Sequence, residues 1–129
     1  MHRINSPRTD DQGIEQLIQA KGKTAPRVTP KDIENNISSE HYFTAADGER
    51  GAANSAFGYS ETHPLGLLTF CVIVLRNGYT VHGHSACASP ENFDPEIGRR
   101  IARENAVQQI WPLMGYALKQ ELRDADDWK

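Results

Sequence analysis

The stretch Leu67-Leu68-Thr69-Phe70-Cys71-Val72-Ile73-Val74-Leu75-Arg76-Asn77-Gly78-Tyr79-Thr80-Val81-His82-Gly83-His84-Ser85-Ala86-Cys87 decides the fold of this chain. A run dense in apolar and β-branched side chains leads into Asn77-Gly78, the dipeptide favoured in two-residue type I′ turns. A second strand follows it. A two-residue turn sets the register so that Arg76 faces Tyr79, Cys71 faces His84 and Leu68 faces Cys87. One face then carries Leu68, Phe70, Val72 and Val74 with Tyr79, Val81 and Cys87. The other carries Leu67, Cys71, Ile73 and Leu75 with Thr80, His82 and His84. The strand 67–75 is apolar on both sides, unlike a sheet with one wet face. One side is expected to pack on the chain's own helices and the other on a second subunit.

Working outward, Thr29-Pro30-Lys31-Asp32 is a helix start. Thr29 suits the N-cap, Pro30 the first helical position and Asp32 the first turn. Ile33 and Ile37 give that helix, about 29–38, one apolar stripe. His41-Tyr42-Phe43-Thr44 reads as a strand, and residues 45–63, rich in Gly, Ala and Ser, as a long loop. After the hairpin, Asp94 is a natural N-cap and Pro95 a first helical residue. Ile97, Gly98, Ile101, Ala102 and Ala106 share one face, with Asn105 in its middle. Arg99 and Arg103 run along one edge. Trp111-Pro112 is expected to end or kink this helix, and a last helix runs from Leu113 to about Arg123. Residues 1–27 read as a flexible arm, in which only Ile14, Leu17 and Ile18 form an amphipathic turn. Residues 28–124 are one domain and 125–129 a polar tail. The fold class expected is α+β, an antiparallel sheet built on the hairpin 67–87 and packed against C-terminal helices.

The bulk properties narrow the function. With 129 residues the chain has room for one core, and an apolar fraction of 38% makes that core small. Small cores commonly gain stability by association, which again predicts an oligomer. No apolar run is long enough to span a membrane, and no apolar leader opens the chain. Residence in the cytoplasm is expected. Cys71 and Cys87 lie in no metal-finger spacing. A formal charge of −3 argues against binding DNA or RNA polymers, but leaves room for a local arginine cluster holding one phosphorylated small molecule.

Catalytic patterns are weak. Cys71 facing His84 is a conceivable thiolate–imidazole pair, yet an inert buried cysteine explains it more simply. His82 and His84 lie two apart without a third metal ligand. There is no phosphate loop, GxSxG or HExxH. Neither catalytic residues nor a metal nor a cofactor is expected. Binding patterns are richer. Asn105 on an apolar face ties the helix to backbone or holds a ligand. Phe93 is a hydrophobic staple or a platform for a base. Arg99, Arg100 and Arg103 form a solvated face or neutralise phosphates. Trp111 is most simply core.

Ser89-Pro90-Glu91-Asn92-Phe93, Ile97-Gly98, Ala102, Glu104-Asn105-Ala106, Ile110-Trp111-Pro112-Leu113 and Gly115-Tyr116 together resemble a family of short phage proteins of the gene-product 49/66 type. The likeness spans about residues 28–44 and 64–123, and residues 45–63 exceed the family pattern. The same family resembles the cyclic-nucleotide sponge of the Thoeris anti-defence class. That resemblance implies sequestration without catalysis in the cytoplasm of an infected bacterium. The ligands implied are cyclic ADP-ribose isomers made by a Toll/interleukin-receptor-type enzyme. In some members cyclic trinucleotides of the CBASS defence bind at a separate site. It also implies a homodimer or hexamer with pockets at subunit junctions. Carried onto this chain, Phe93 would stack on adenine, and Asn92 and Asn105 would hydrogen-bond. Arg99, Arg103, Lys119 or Arg123 would meet phosphate. Two other readings stay open: a protein-binding inhibitor of a host factor, using residues 45–63 and the acidic tail, and a small hydrolase or metal enzyme.

Overall fold

A computed structural model describes residues 10–23, 25–53 and 63–127. In order these are helix α1 (Asp11–Ala20), helix α2 (Pro30–Asn35), strand β1 (Ile37–Thr44) and helix α3 (Ala45–Ala53). Strands β2 (Leu68–Leu75) and β3 (Thr80–Ala86) and helix α4 (Pro95–Asp127) complete the chain. The architecture is α+β: an antiparallel sheet in the order β1-β2-β3, with α4 laid across one face.

The turn between β2 and β3 differs from the sequence expectation. Gly78 N–H donates to the Leu75 carbonyl at 2.9 Å and Leu75 N–H to the Tyr79 carbonyl at 2.8 Å. The loop is therefore Arg76-Asn77-Gly78, one residue longer than expected, with Gly78 at φ 89°. This is the three-residue hairpin in which glycine takes the left-handed position. The Asn77 carboxamide oxygen accepts from Tyr79 N–H and steadies it. One extra residue moves the register by one, so Cys71 pairs with Gly83 and Phe70 with His84. A shift of one residue exchanges faces across the pair. Cys71 and His84 now lie on opposite sides of the sheet, and the thiol–imidazole pair does not exist.

The corrected register explains the burial. Cys71, Ile73 and Leu75 share the inner face with Val81 and Gly83, and each side chain is nearly or wholly buried. Against them pack Ala102, Ala106 and Ile110 of α4, with Ile33 of α2 closing the core. The outer face carries three cross-strand rows: Ser39–Val74–Thr80, His41–Val72–His82 and Phe43–Phe70–His84.

The N-terminal boundary of α2 follows the sequence. Thr29 Oγ1 accepts from Asp32 N–H, and the Asp32 carboxylate accepts from Thr29 N–H, a reciprocal cap. The reading of residues 45–63 as loop is corrected at its start, where 45–53 is helical. Thr44 and Asp47 repeat the same reciprocal cap. Residues 54–62 of that expected loop, 1–9 of the arm and 128–129 of the tail lie outside the described residues. The described part of the arm forms α1, held by Asp11 against Trp111 and by Glu15 against Arg27.

The expected break at Trp111-Pro112 is also corrected: α4 runs through Pro112 without stopping and continues to Asp127. Proline removes one donor to the residue four back, but Pro112 is exposed, on the wet side of the helix. No helix among the described residues is long and apolar enough to cross a membrane.

Candidate functional site

Where α4 begins, beside the edge strand β1, a cavity of about 140 Å³ opens. Its walls are Tyr42, Phe43 and Thr44 of β1, Asp47 of α3, Thr69 of β2, and Phe93, Pro95 and Arg99 around the start of α4. Local sequence builds each wall. A 3-10 turn, Pro90–Asn92, delivers Phe93 to the position before the cap of α4. Asp94 then caps the helix, its Oδ1 accepting from Glu96 N–H at 2.9 Å and from Ile97 N–H at 3.3 Å. A Cβ on Gly98 would lie 3.7 Å from the Phe93 ring and 3.0 Å from Thr69 Oγ1. Phe93 therefore rests on the fourth helical residue, as a staple does, and also lines the cavity. The two sequence readings of Phe93 are compatible.

The cavity is aromatic on three sides and carries one charge of each sign. Arg99 is exposed on the first turns of α4. Opposite it, the Asp47 carboxylate accepts from Thr44 N–H at 2.9 Å and from Arg50 at 3.0 Å. These bonds, the backbone N–H of Thr44 first, hold its carboxyl below the usual range. Tyr42 links the cavity to a second network. Its hydroxyl donates to Glu40 Oε1 at 2.7 Å. Burial, then the neighbouring Glu40 carboxylate, raises the Tyr42 hydroxyl above its ordinary value and keeps it protonated.

That second network fixes Arg103. Its Nε and Nη2 grip Glu40 at 2.8 and 3.1 Å, and Nη2 reaches Glu34 at 2.8 Å. Two carboxylates meet one guanidinium, so Arg103 ties α4 to β1 and α2. A larger cavity of about 240 Å³ beside it is lined by Asp11, Glu34, Glu104 and Trp111. Carboxylates dominate that lining, which disfavours a phosphate there.

The residues expected from sequence divide accordingly. Phe93 and Arg99 come together at the smaller cavity. Asn92 is exposed in the 3-10 turn and does not line it. Asn105 lies elsewhere, donating its side-chain N–H to the His84 carbonyl at 2.8 Å, which ties α4 to β3. Lys119 and Arg123 are 20 and 24 residues beyond Arg99 on one continuous helix. At 1.5 Å per residue that is roughly 30 and 36 Å, so one chain cannot bring them to the same ligand. The arginines also disperse: Arg100 leans towards Glu104 at 3.8 Å, while Arg99 faces the cavity. Tyr42, Phe43 and Asp47 were missed. Thr44-x-x-Asp47 repeats the spacing of Thr29-x-x-Asp32, and reading it as a cap would have placed a helix beside the aromatic pair.

Among the described residues no cluster of three or more His, Cys, Asp or Glu side chains is arranged to hold a metal. Against known proteins, the profile of the phage protein (N4 Gp49/phage Sf6 gene 66) family matches residues 28–122. No curated protein and no solved structure matches this chain.

Proposed function

The chain belongs to that phage protein family, and on this premise we propose that it binds and sequesters a cyclic ADP-ribose-type immune signal in the infected bacterium without degrading it. The observation that supports the reading is the meeting of Phe93 and Arg99, with Tyr42, Phe43 and Asp47, around one cavity. An aromatic ring offers a stacking surface for adenine. The exposed guanidinium of Arg99 is a two-pronged donor for phosphate. The Asp47 carboxylate has acceptor capacity left for an exocyclic amine or a ribose hydroxyl.

Size adds a constraint. The cavity, about 140 Å³, is smaller than the roughly 300–1,000 Å³ pockets that enclose drug-sized ligands. It takes one base and leaves the rest of a cyclic dinucleotide-sized molecule projecting. A second copy of the chain, as homodimer or larger oligomer, closes over that remainder in this reading. Sequestration needs only affinity. Competing with a defence effector at nanomolar dissociation constants asks for about −12 kcal/mol, which stacking and charge-assisted bonds in a closed site can supply.

Isothermal titration with a cyclic ADP-ribose isomer tests this, followed by heat release and chromatography. Wild type is expected to bind and to release the ligand unchanged. Phe93→Ala and Arg99→Gln are expected to weaken binding by roughly tenfold to a hundredfold, as for one lost stacking or charged contact. No binding by wild type at micromolar concentration would end the reading, and a new product in the chromatogram would make the protein an enzyme.

A further inference from the structure

The three cross-strand rows of the outer sheet face hold no Asp, Glu, Lys or Arg, although a quarter of the chain, 24%, is charged. Phe70, Val72 and Val74 form its apolar spine, and His41, His82 and His84 flank that spine, exposed. We propose that this face binds a second copy of the same chain, and does so only while its three histidines are uncharged. The inference rests on the reading that a second copy closes the ligand cavity.

Three features select a second copy as the occupant. The face is neutral and self-complementary, so nothing on it steers a charged partner. Symmetry does the rest: either two-fold axis lying between the sheets through Val72 lays the His41–Val72–His82 row on itself. Imidazoles of one copy then meet imidazoles of the other. Sheets pack about 10 Å apart, a gap that two facing histidine side chains span. The face is also continuous with the cavity, because Phe43 belongs both to its last row and to the cavity wall. A copy seated there reaches the cavity mouth.

The size of the face makes it switchable. Three strands about 4.8 Å apart and seven residues at about 3.3 Å give roughly 14 by 23 Å. That is below the roughly 800 Å² per partner of a standard interface, so association is weak and a few charges tip it. The groups around the imidazoles offer them little compensation. Ser39 Oγ lies 2.9 Å from His41 Nε2, and the His84 ring lies 6.3 Å from that of Phe70. The described element that packs at this face, α3, touches Phe43 through Gly48. Its charges are Asp47, already paired with Arg50, and Glu49. Protonation on both copies therefore sets like charges against each other at the contact. The sign follows: the dimer holds above the ordinary imidazole range, near pH 6.5, and is lost as pH falls through it.

Sedimentation equilibrium of the full chain at pH 7.5 and 5.5 tests this across a concentration series. Wild type is expected to dimerise at pH 7.5 and to bind itself at least about 100-fold more weakly at pH 5.5, given tenfold per pH unit for each imidazole that must be neutral. Val72→Asp is expected to be monomeric at both values. The variant with His41→Gln, His82→Gln and His84→Gln is expected to dimerise equally at both. Far-ultraviolet circular dichroism checks folding, and Thr80→Lys, at an exposed position, replaces Val72→Asp if that variant unfolds. A wild-type dimer equally tight at pH 5.5, or a triple variant with unchanged pH dependence, overturns the switch. A folded Val72→Asp or Thr80→Lys variant that still dimerises, or a wild-type monomer at pH 7.5, overturns the face. Titration with a cyclic ADP-ribose isomer at pH 7.5 separates the two readings. A monomer that binds the ligand keeps the function and loses this interface, and a dimer that ignores the ligand does the reverse.

Discussion

Gly83 of β3 lies so close beneath Ala106 of α4 that a Cβ on it would sit 2.3 Å from the Ala106 backbone nitrogen. The same Cβ would lie 2.4 Å from the Ala102 carbonyl oxygen. No side chain fits there, and backbone on both sides cannot rotate away. Glycine at this position lets the helix settle onto the sheet, where Ala102 and Ala106 are fully buried.

Gly83→Ala is therefore expected to destabilise the fold by at least about 3 kcal/mol, the upper range for overpacking a core. Urea unfolding followed by circular dichroism measures it. A change under 1 kcal/mol would mean that α4 can lift off the sheet without penalty.

The Arg103–Glu40 pair makes stability depend on pH. Arg103 first, and Tyr42 after it, holds the Glu40 carboxyl below its usual value, against a smaller opposing effect of burial. A carboxyl depressed in the folded state stabilises above its unfolded value, about 4.3–4.5, and loses that contribution as pH falls through the folded value. Wild type is expected to lose more stability between pH 7 and pH 3 than Glu40→Gln does. Equal losses would show that the pair adds nothing.

Arg103→Met should cost about 1–3 kcal/mol at pH 7, because Glu40 and Glu34 then face each other without a cation. Thermal melts at pH 7 and pH 3 check it. The deficit should shrink at pH 3, where the carboxylates begin to protonate. A deficit that grows there would contradict the account.

Asn105→Ala removes the bond to the His84 carbonyl and leaves the cavity walls untouched. A stability loss of about 1 kcal/mol is expected, a few degrees in melting temperature. Any affinity for a cyclic ADP-ribose isomer should survive below the new melting point. Lost binding in a folded variant would bring Asn105 back to the site.

Pro112 interrupts the hydrogen-bonding of α4 while the helix continues past it. Pro112→Ala restores a donor and removes the ring, and should raise stability by about 1–3 kcal/mol, since proline inside a helix costs about that. A melting temperature that stays level or falls would show that the helix needs the proline.

By itself, the sequence determined the elements whose signals are local. Thr29 and Asp32 cap α2 as expected, Asp94-Pro95 starts α4, and the hairpin stands between residues 67 and 87. Each of these depends on neighbours within a few residues, so the pattern is written in one stretch of chain. The same holds for Phe93 and Arg99, five positions or so apart at one helix start. Tertiary structure decided the rest. Asn77-Gly78 suits both a two-residue and a three-residue loop, and the choice fell to packing. Only the longer loop puts Val81 and Gly83, and not His82 and His84, against α4. Pro112 looked like a stop because local chemistry disfavours it, yet the buried stripe through Ile110 carries the helix past it. Arg103 and Asn105 looked like ligand contacts in sequence. Their partners, Glu34, Glu40 and His84, are far along the chain, and only folding brings them near enough to claim those side chains.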